Sequence, residues 1–226
     1  MAKKIERVEV QQGYDLWAET YDTTPNPVVA MDARHTVRRL APQAGELILD
    51  AGCGTGRNLR SLLDAGSPPV GMDFSFGMLR VAKRNYPQAA FLQADMQQNF
   101  PFQQGSFDAV LCALIGEHLS DLRKVYSETL AVLKAGGRFV FSVYHPELAL
   151  AGKEANFERD NIEYRFGAYR HTVDDYVNLL AEAGFKTISK YEFVGDEELV
   201  AEIPKAAKYL GFPVLLILEA RKAASL

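Results

Sequence analysis

Residues 49–58 read LDAGCGTGRN, with Gly52, Gly54 and Gly56 at every second position directly behind the apolar run Leu47, Ile48 and Leu49. Glycine at a strand exit weakens the element by roughly 0.5–1 kcal/mol relative to alanine, so a cluster there signals unusual dihedrals or a ligand at contact distance from the backbone. Working outward from this loop, short apolar runs alternate with segments of helical period, the pattern of a parallel sheet wound with helices. The expected strands are Leu47–Ala51, Pro69–Asp73, Ala89–Gln93, Phe107–Cys112 and Gly137–Val143. Between them, Leu59, Leu62 and Leu63 mark one helix face, and Met78, Leu79 and Ala82 mark another behind a Ser75 cap. The clearest helix runs from Asp121 to Lys134 and stops before Gly136.

The remaining segments surround this frame. Residues 10–41 read as one or two helices broken at Pro25-Asn26-Pro27, within an N-terminal helical cap of residues 1–45. After the fifth strand, residues 145–171 are far longer than the roughly 2–6 residues that usually connect such elements, which points to a functional insertion. A helix resumes at Thr172 with a capping-box start and ends at Gly184. Phe185–Val194 and Phe212–Ala220 read as the last strands, separated by an edge insertion, 195–211, that has room for a small helix. The whole chain, 1–226, is expected to form one domain.

Composition narrows the function classes. Twenty-five basic and 29 acidic residues give a net charge of −4, which supplies no general footprint for a phosphate backbone, so a nucleic-acid partner is disfavoured. The start, MAKKIERVEV, has no apolar run after its lysines, and nothing approaches the roughly 20 apolar residues needed to span a bilayer. The expectation is a soluble cytoplasmic protein without a membrane span. Cys53 and Cys112 have neither CxxC nor metal spacing and are expected to be reduced.

A dinucleotide loop, G-x-G-x-x-G counted from Gly52, would need glycine where Arg57 stands. The stretch from Asp50 to Gly56 instead reads D-x-G-x-G-x-G, which resembles motif I of the class I S-adenosylmethionine-dependent methyltransferases. Asp73 in VGMDFSFGML, Asp95-Met96 in FLQADMQ, SFDAVLCALIGEHL and LKAGGRFVFSVYHP follow in that family's order, over roughly residues 12–194. The resemblance implies an α/β, Rossmann-like, doubly wound seven-stranded sheet, mostly parallel with an antiparallel last strand, plus N-terminal helices and a lid insertion. It implies S-adenosylmethionine as cofactor and S-adenosylhomocysteine as product. The amides of the loop, Ala51, Gly52, Cys53 and Gly54, would receive the methionine carboxylate, with Asp50 near its ammonium group. Asp73 would accept the ribose hydroxyls, Phe74 and Met78 would flank the adenine, and Asp95 would accept its exocyclic amine beside the Met96 amide. Ala113, at the end of the fourth strand, counts among the cofactor contacts.

Tyr14, Trp17 and Tyr21 fall at i, i+3 and i+7 on one helix face. This is either an aromatic stripe packed on the sheet rim or a lid in which Tyr14 and Tyr21 meet the cationic sulfonium, and the two readings can coexist. A general base would add about 10²–10⁴-fold to methyl transfer, and histidine suits that task near neutral pH. His118, after the fourth strand, and His145, expected at the mouth of the acceptor pocket, are the catalytic candidates. His171, just before a helix cap, reads as structural, and His35 sits in the N-terminal helical region. Glu117-His118 also resembles the metal-binding E-x-x-E-H of ubiquinone-pathway O-methyltransferases, but Leu114 occupies the first carboxylate position, so no metal is expected.

The insertion mixes Phe157, Tyr164, Phe166 and Tyr169 with Glu154, Asn156, Glu163 and Arg165, a composition suited either to closing over a small acceptor or to packing on the sheet. The stretch Ala113-Leu114-Ile115-Gly116 lacks the D/N-P-P-Y/F signature of nucleic-acid amino-methylating enzymes. The expected function is methyl transfer to an oxygen, nitrogen or carbon of a small metabolite, in a motif order most similar to the group that includes ubiquinone and menaquinone methyltransferases. An RNA or protein methyltransferase and a non-catalytic cofactor-binding scaffold are the alternatives. Oligomeric state stays open.

Overall fold

The computed structural model describes residues 4–224. Its main sheet has seven strands in the order β4-β3-β2-β5-β6-β10-β9. These are β2 (Ile48–Ala51), β3 (Pro69–Asp73), β4 (Ala90–Gln93), β5 (Phe107–Ala113), β6 (Leu133–Tyr144), β9 (Lys186–Val194) and β10 (Pro213–Arg221). The pairs from β4 across to β6 are parallel, and β10 runs antiparallel to both β6 and β9. The doubly wound sheet with its antiparallel last strand is therefore present.

Alternation along the strands builds two cores, because successive side chains leave a strand on opposite faces. On β5, Val110 and Cys112 join one core, and Ala109, Leu111 and Ala113 join the other. The first core is closed by α5 (Leu122–Val132) and α7 (Val173–Ala183), where Tyr126 meets Phe139 and Phe141 edge-on and Phe141 lies against Tyr176. The second is covered by α2 (Pro27–Leu40) through Met31 and Leu40, and by α8 (Glu197–Glu202) through Leu199. Each such fully buried side chain is worth roughly 1.5–3 kcal/mol relative to exposure.

Helix starts follow the expected caps. Ser75 accepts from Met78 N ahead of α4 (Phe76–Asn85), Asp121 caps α5, and Thr172 and Asp175 close a full capping box. One boundary differs: α5 ends at Val132, two residues short of Lys134. Leu133 is extended, fully buried and paired with Phe107, so the sheet takes a residue that helical spacing assigned to the last turn.

A second sheet was not foreseen. The insertion forms a short helix, α6 (Pro146–Leu150), then a hairpin of β7 (Asn156–Arg159) and β8 (Ile162–Arg165). Its turn residues Asp160 and Asn161 both have positive φ, as a two-residue hairpin loop requires. An N-terminal strand, β1 (Lys4–Arg7), lies parallel to β8, so residues 1–45 contain a strand as well as the helices α1 (Val10–Trp17) and α2. This sheet packs Phe157 and Phe166 against Trp17.

Candidate active site

The loops that leave the carboxyl ends of β2, β3, β4 and β5 converge on one cleft, where β2 is flanked by β3 on one side and β5 on the other. Open α/β sheets bind ligands at such a divergence. In the glycine loop, the amides of Gly52 and Cys53 both donate to Met72 O, at 2.7 and 3.0 Å. Gly52 has φ +79°, and a Cβ there would sit 2.8 Å from Ile115 Cγ2. Gly54 has φ +55° with no atom within 4 Å of its Cβ position, so the bare backbone faces open space. Its amide donates to Asp73 Oδ2 at 2.8 Å, and Ser75 N donates to Asp73 Oδ1 at 2.9 Å. Burial outweighs these amides and pushes the Asp73 carboxyl up to about 6.

The cleft encloses about 490 Å³, within the roughly 300–1,000 Å³ of small-ligand sites. Of the expected cofactor contacts, Tyr14, Tyr21, Gly52, Gly54, Asp73, Phe74, Met78, Asp95, Met96 and Ala113 line it, as does His118. Phe74 is fixed by its carbonyl, which accepts from Gln11 at 2.6 Å and Gln93 at 3.0 Å. Asp95 also caps its own turn, accepting from Gln97 N at 2.9 Å.

Three expected contacts stand behind the wall. Ala51 is a buried strand residue, and the Cys53 sulfur packs toward Gly71 beside Phe91, with burial pushing the thiol well up. Asp50 is wholly buried, with the Asn58 side chain beside its carboxylate. Burial, aided by Asp32 and Asp73 and opposed by Arg57, pushes it up to about 7.

On the N-terminal aromatic face, Trp17 packs, stacked on Phe157, while Tyr14 and Tyr21 line the cleft. The Tyr14 hydroxyl lies 2.9 Å from His118 Nε2. Burial drives His118 down to about 4, so the ring is neutral at pH 7, and its Nδ1 has no partner.

His145 corrects the sequence reading. It lines neither this cleft nor the cavity beside it. Its Nδ1 accepts from Glu147 N at 3.3 Å to cap α6, and its Nε2 lies 3.3 Å from Glu192 Oε2 on β9. The preceding residue, Tyr144, faces the neighbouring cavity, and alternation turns His145 away from it. His171 bonds Leu119 O at 2.7 Å, and His35 stacks on Phe193.

That neighbouring cavity, of about 520 Å³, shares Tyr14, Tyr21 and Leu114 with the cleft. Leu114 has φ +57°, a left-handed backbone that costs a leucine roughly 1–3 kcal/mol and places it as the wall between the two spaces. Glu117 and Tyr144 line the second cavity, and Glu117 Oε2 and the Tyr144 hydroxyl have no partners.

Sequence reasoning missed Leu114, Glu117 and the acidic residues that tie the N-terminal helices to the site. Asp15 accepts from Ser75 Oγ at 2.6 Å and Gly77 N at 2.7 Å, and Asp22 accepts from Thr55 at 2.7 Å. Asp32 accepts from Arg57 at 2.5 Å, directly behind the glycine loop. Among the described residues there is no group of three or more His, Cys, Asp or Glu that can hold a metal ion. None of their helices is long and apolar enough to cross a membrane.

Residues 49–141 match the model of a methyltransferase domain. Over 144 residues the chain is 37% identical to a demethylmenaquinone methyltransferase from Renibacterium salmoninarum, covering 61% of this chain and 60% of that protein. The chain thus spans about three fifths of the length of such curated relatives. Among solved structures it resembles a candidate S-adenosylmethionine-dependent methyltransferase from Listeria monocytogenes (TM-score 0.72, 22% identity, 87% of this chain and 99% of that one). It equally resembles the [4+2]-cyclase SpnF (TM-score 0.72, 19% identity, 98% and 100%). Such likenesses establish the fold, and a fold hosts more than one chemistry. The glycine loop, the acidic residues at the ends of β2, β3 and β4, the sheet order and the match over residues 49–141 thus agree on a methyltransferase domain within a Rossmann-like fold.

Proposed function

We propose that the chain is an S-adenosylmethionine-dependent methyltransferase acting on a small molecule. The observation that carries this is the pair of adjoining cavities. One is lined by the glycine loop and Asp73, the other holds Glu117 and Tyr144, and they meet at Tyr14, Tyr21 and Leu114. In this reading the cofactor lies in the first with its methyl group directed at that shared wall, and the acceptor reaches it from the second.

The residues fit the cofactor. Asp73, already positioned by two amides, takes the ribose hydroxyls, and Phe74 and Met78 take the adenine faces, with Asp95 and Met96 at its edge. The open space over Gly54 admits the methionine end, and the buried charge of Asp50 favours the nearby ammonium group. The transferable methyl belongs to the cofactor, so the protein's own work is alignment, worth up to roughly 7–11 kcal/mol, and exclusion of water. His118, neutral and bonded to Tyr14, holds the aromatic cover in place over the site. Residues 4–45 and 145–171 supply that cover within a single domain.

The relatives are named for demethylmenaquinone, but the carboxyl and lysines of the second cavity favour a smaller polar acceptor. Calorimetric titration of the purified protein with S-adenosylmethionine, S-adenosylhomocysteine and a dinucleotide tests the reading. Micromolar binding of the first two alone is expected. Binding of the dinucleotide, or of none of the three, would overturn it.

A further inference from the structure

The second cavity holds a carboxyl group that the protein does not satisfy. Glu117 is only 6% exposed, its Oε2 has no partner, and its Oε1 stands 3.9 Å from His118 Nε2. The titratable groups around it are His118, neutral at pH 7, the phenols of Tyr14 and Tyr21 from the N-terminal helical segment, Tyr144 from β6 and Tyr176 from α7, and the Cys112 thiol of β5. None of these is a cation, and burial pushes the Glu117 carboxyl up to about 8. A buried carboxyl without counter-charge is costly until a donor arrives, and a cationic donor compensates it most fully. Tyr14, Trp17 and Tyr21 line the same space and add aromatic faces, which also attract cations.

The same cavity carries the opposite charge elsewhere in its lining, at Lys153, Lys205 and Lys208. Among the described residues none of the three forms an ion pair, and Lys208 lies 5.0 Å over the Tyr209 ring. Carboxylates line this cavity too, but they are engaged: Glu154 by Arg7, Arg165 and Gly167 N, and Glu158 in interactions of its own.

We infer that the acceptor is a small amine that also carries an anionic group, its nitrogen at Glu117 beside Tyr14 and Tyr21 and its anion at Lys153, Lys205 and Lys208, with Glu117 as the catalytic base. The inference rests on the methyltransferase reading and names its substrate class. In the step, an ammonium proton passes to the Glu117 carboxylate and the nitrogen lone pair forms the bond to the methyl carbon. The carbon–sulfur bond breaks with its electrons going to sulfur, which leaves as a neutral thioether. The methylated nitrogen keeps the positive charge, and Glu117 returns its proton to solvent.

The test is turnover of the full chain with S-adenosylmethionine against 4-aminobutanoate, glycine and O-phosphoethanolamine. The controls are 4-hydroxybutanoate, butylamine and catechol, and products are identified by mass. Methylation of the acidic amines alone is expected. Glu117→Gln, nearly isosteric, should lower kcat/KM by about 100-fold or more while S-adenosylhomocysteine affinity stays within about twofold. Lys205→Ala with Lys208→Ala, on the exposed rim, should raise KM for the acidic amines and spare kcat. Preferred methylation of catechol or the hydroxy acid would overturn the inference. So would unchanged kcat/KM in Glu117→Gln, or no amine turnover in a protein that binds S-adenosylhomocysteine. Failure to bind S-adenosylhomocysteine would instead sink the methyltransferase reading itself.

Discussion

Replacing Asp32 with alanine should show how the N-terminal helices hold the cofactor loop. Asp32 is fully buried on α2 and accepts from Arg57 Nη2 at 2.5 Å, from Thr36 at 2.5 Å and from the Ser142 hydroxyl on β6. Burial opposes the charge on Arg57, yet Asp32 and Tyr21 hold its pKa above the ordinary value. Arg57 Nη1 already lacks a partner, so the alanine variant would leave both terminal nitrogens of the guanidinium unsatisfied. Removing one member of a buried ion pair costs about 3–5 kcal/mol. At roughly 2–4 °C per kcal/mol for a chain of this size, the melting temperature should fall by about 6–20 °C. Adding Arg57→Met removes the stranded charge, so the double variant should recover a coupling energy of about 1–3 kcal/mol. Urea unfolding of the four proteins measures the cycle, and titration with S-adenosylhomocysteine reports whether the loop loosens. A loss below about 1 kcal/mol for Asp32→Ala, or additivity within about 0.5 kcal/mol, would refute the reasoning.

Three further outcomes follow from the site. Asp73→Ala should weaken S-adenosylmethionine binding by about 1–3 kcal/mol, the cost of losing hydroxyl contacts to a charged group; unchanged affinity in a folded variant would remove the ribose role. Asp50, Asp73 and Glu117 titrate in the folded protein near 7, 6 and 8, each above its ordinary value near 4, so the folded state binds more protons than the unfolded chain in that window. Their stabilisation is therefore complete below about pH 4 and is lost as pH rises toward 8. The ligand-free melting temperature should decline from pH 5 to 8, with the lowered His118 and His35 offsetting only part of that below pH 6.5, and a steady rise across the range would contradict it; the carboxyls held low, such as Glu46 and Glu128, act at more acidic pH. His145→Ala should cost about 1 kcal/mol of stability through the lost cap and leave S-adenosylhomocysteine affinity unchanged, and a turnover defect at full stability would return His145 to the chemistry.

The parts of this architecture visible in the sequence are those set by local pattern. Apolar runs located the strands to within a few residues, and acidic residues at the strand ends marked the cleft, because β-strand exits need turn-forming side chains and the cleft lies at those exits. The helix boundary at Val132 was hidden since Leu133 satisfies helical spacing and strand pairing equally well. The hairpin did leave a signal, Asp160-Asn161 between two four-residue strands, but the aromatic content of the insertion drew the reading toward a lid. His145 was misplaced by strand parity, a single residue deciding between cavity and cap. Glu117 enters the sequence reading only as half of a metal motif, and its surroundings are built by phenols from three distant segments. The Asp32, Arg57 and Ser142 junction joins residues up to 110 positions apart, which no local pattern records.

The parallel pairing of β1 with β8, Lys4 opposite Ile162, bears on how the chain is born. Domains emerge from the ribosome amino end first, and contacts of long sequence separation form late. β1 therefore waits, unpaired, while the more than 150 residues between it and β8 are made. The roof over the cleft, which joins residues 4–7 to the hairpin at 156–165, forms only after β2, β3 and β5 have been made, so a nascent chain in which those three have already docked still presents an open cleft to its surroundings.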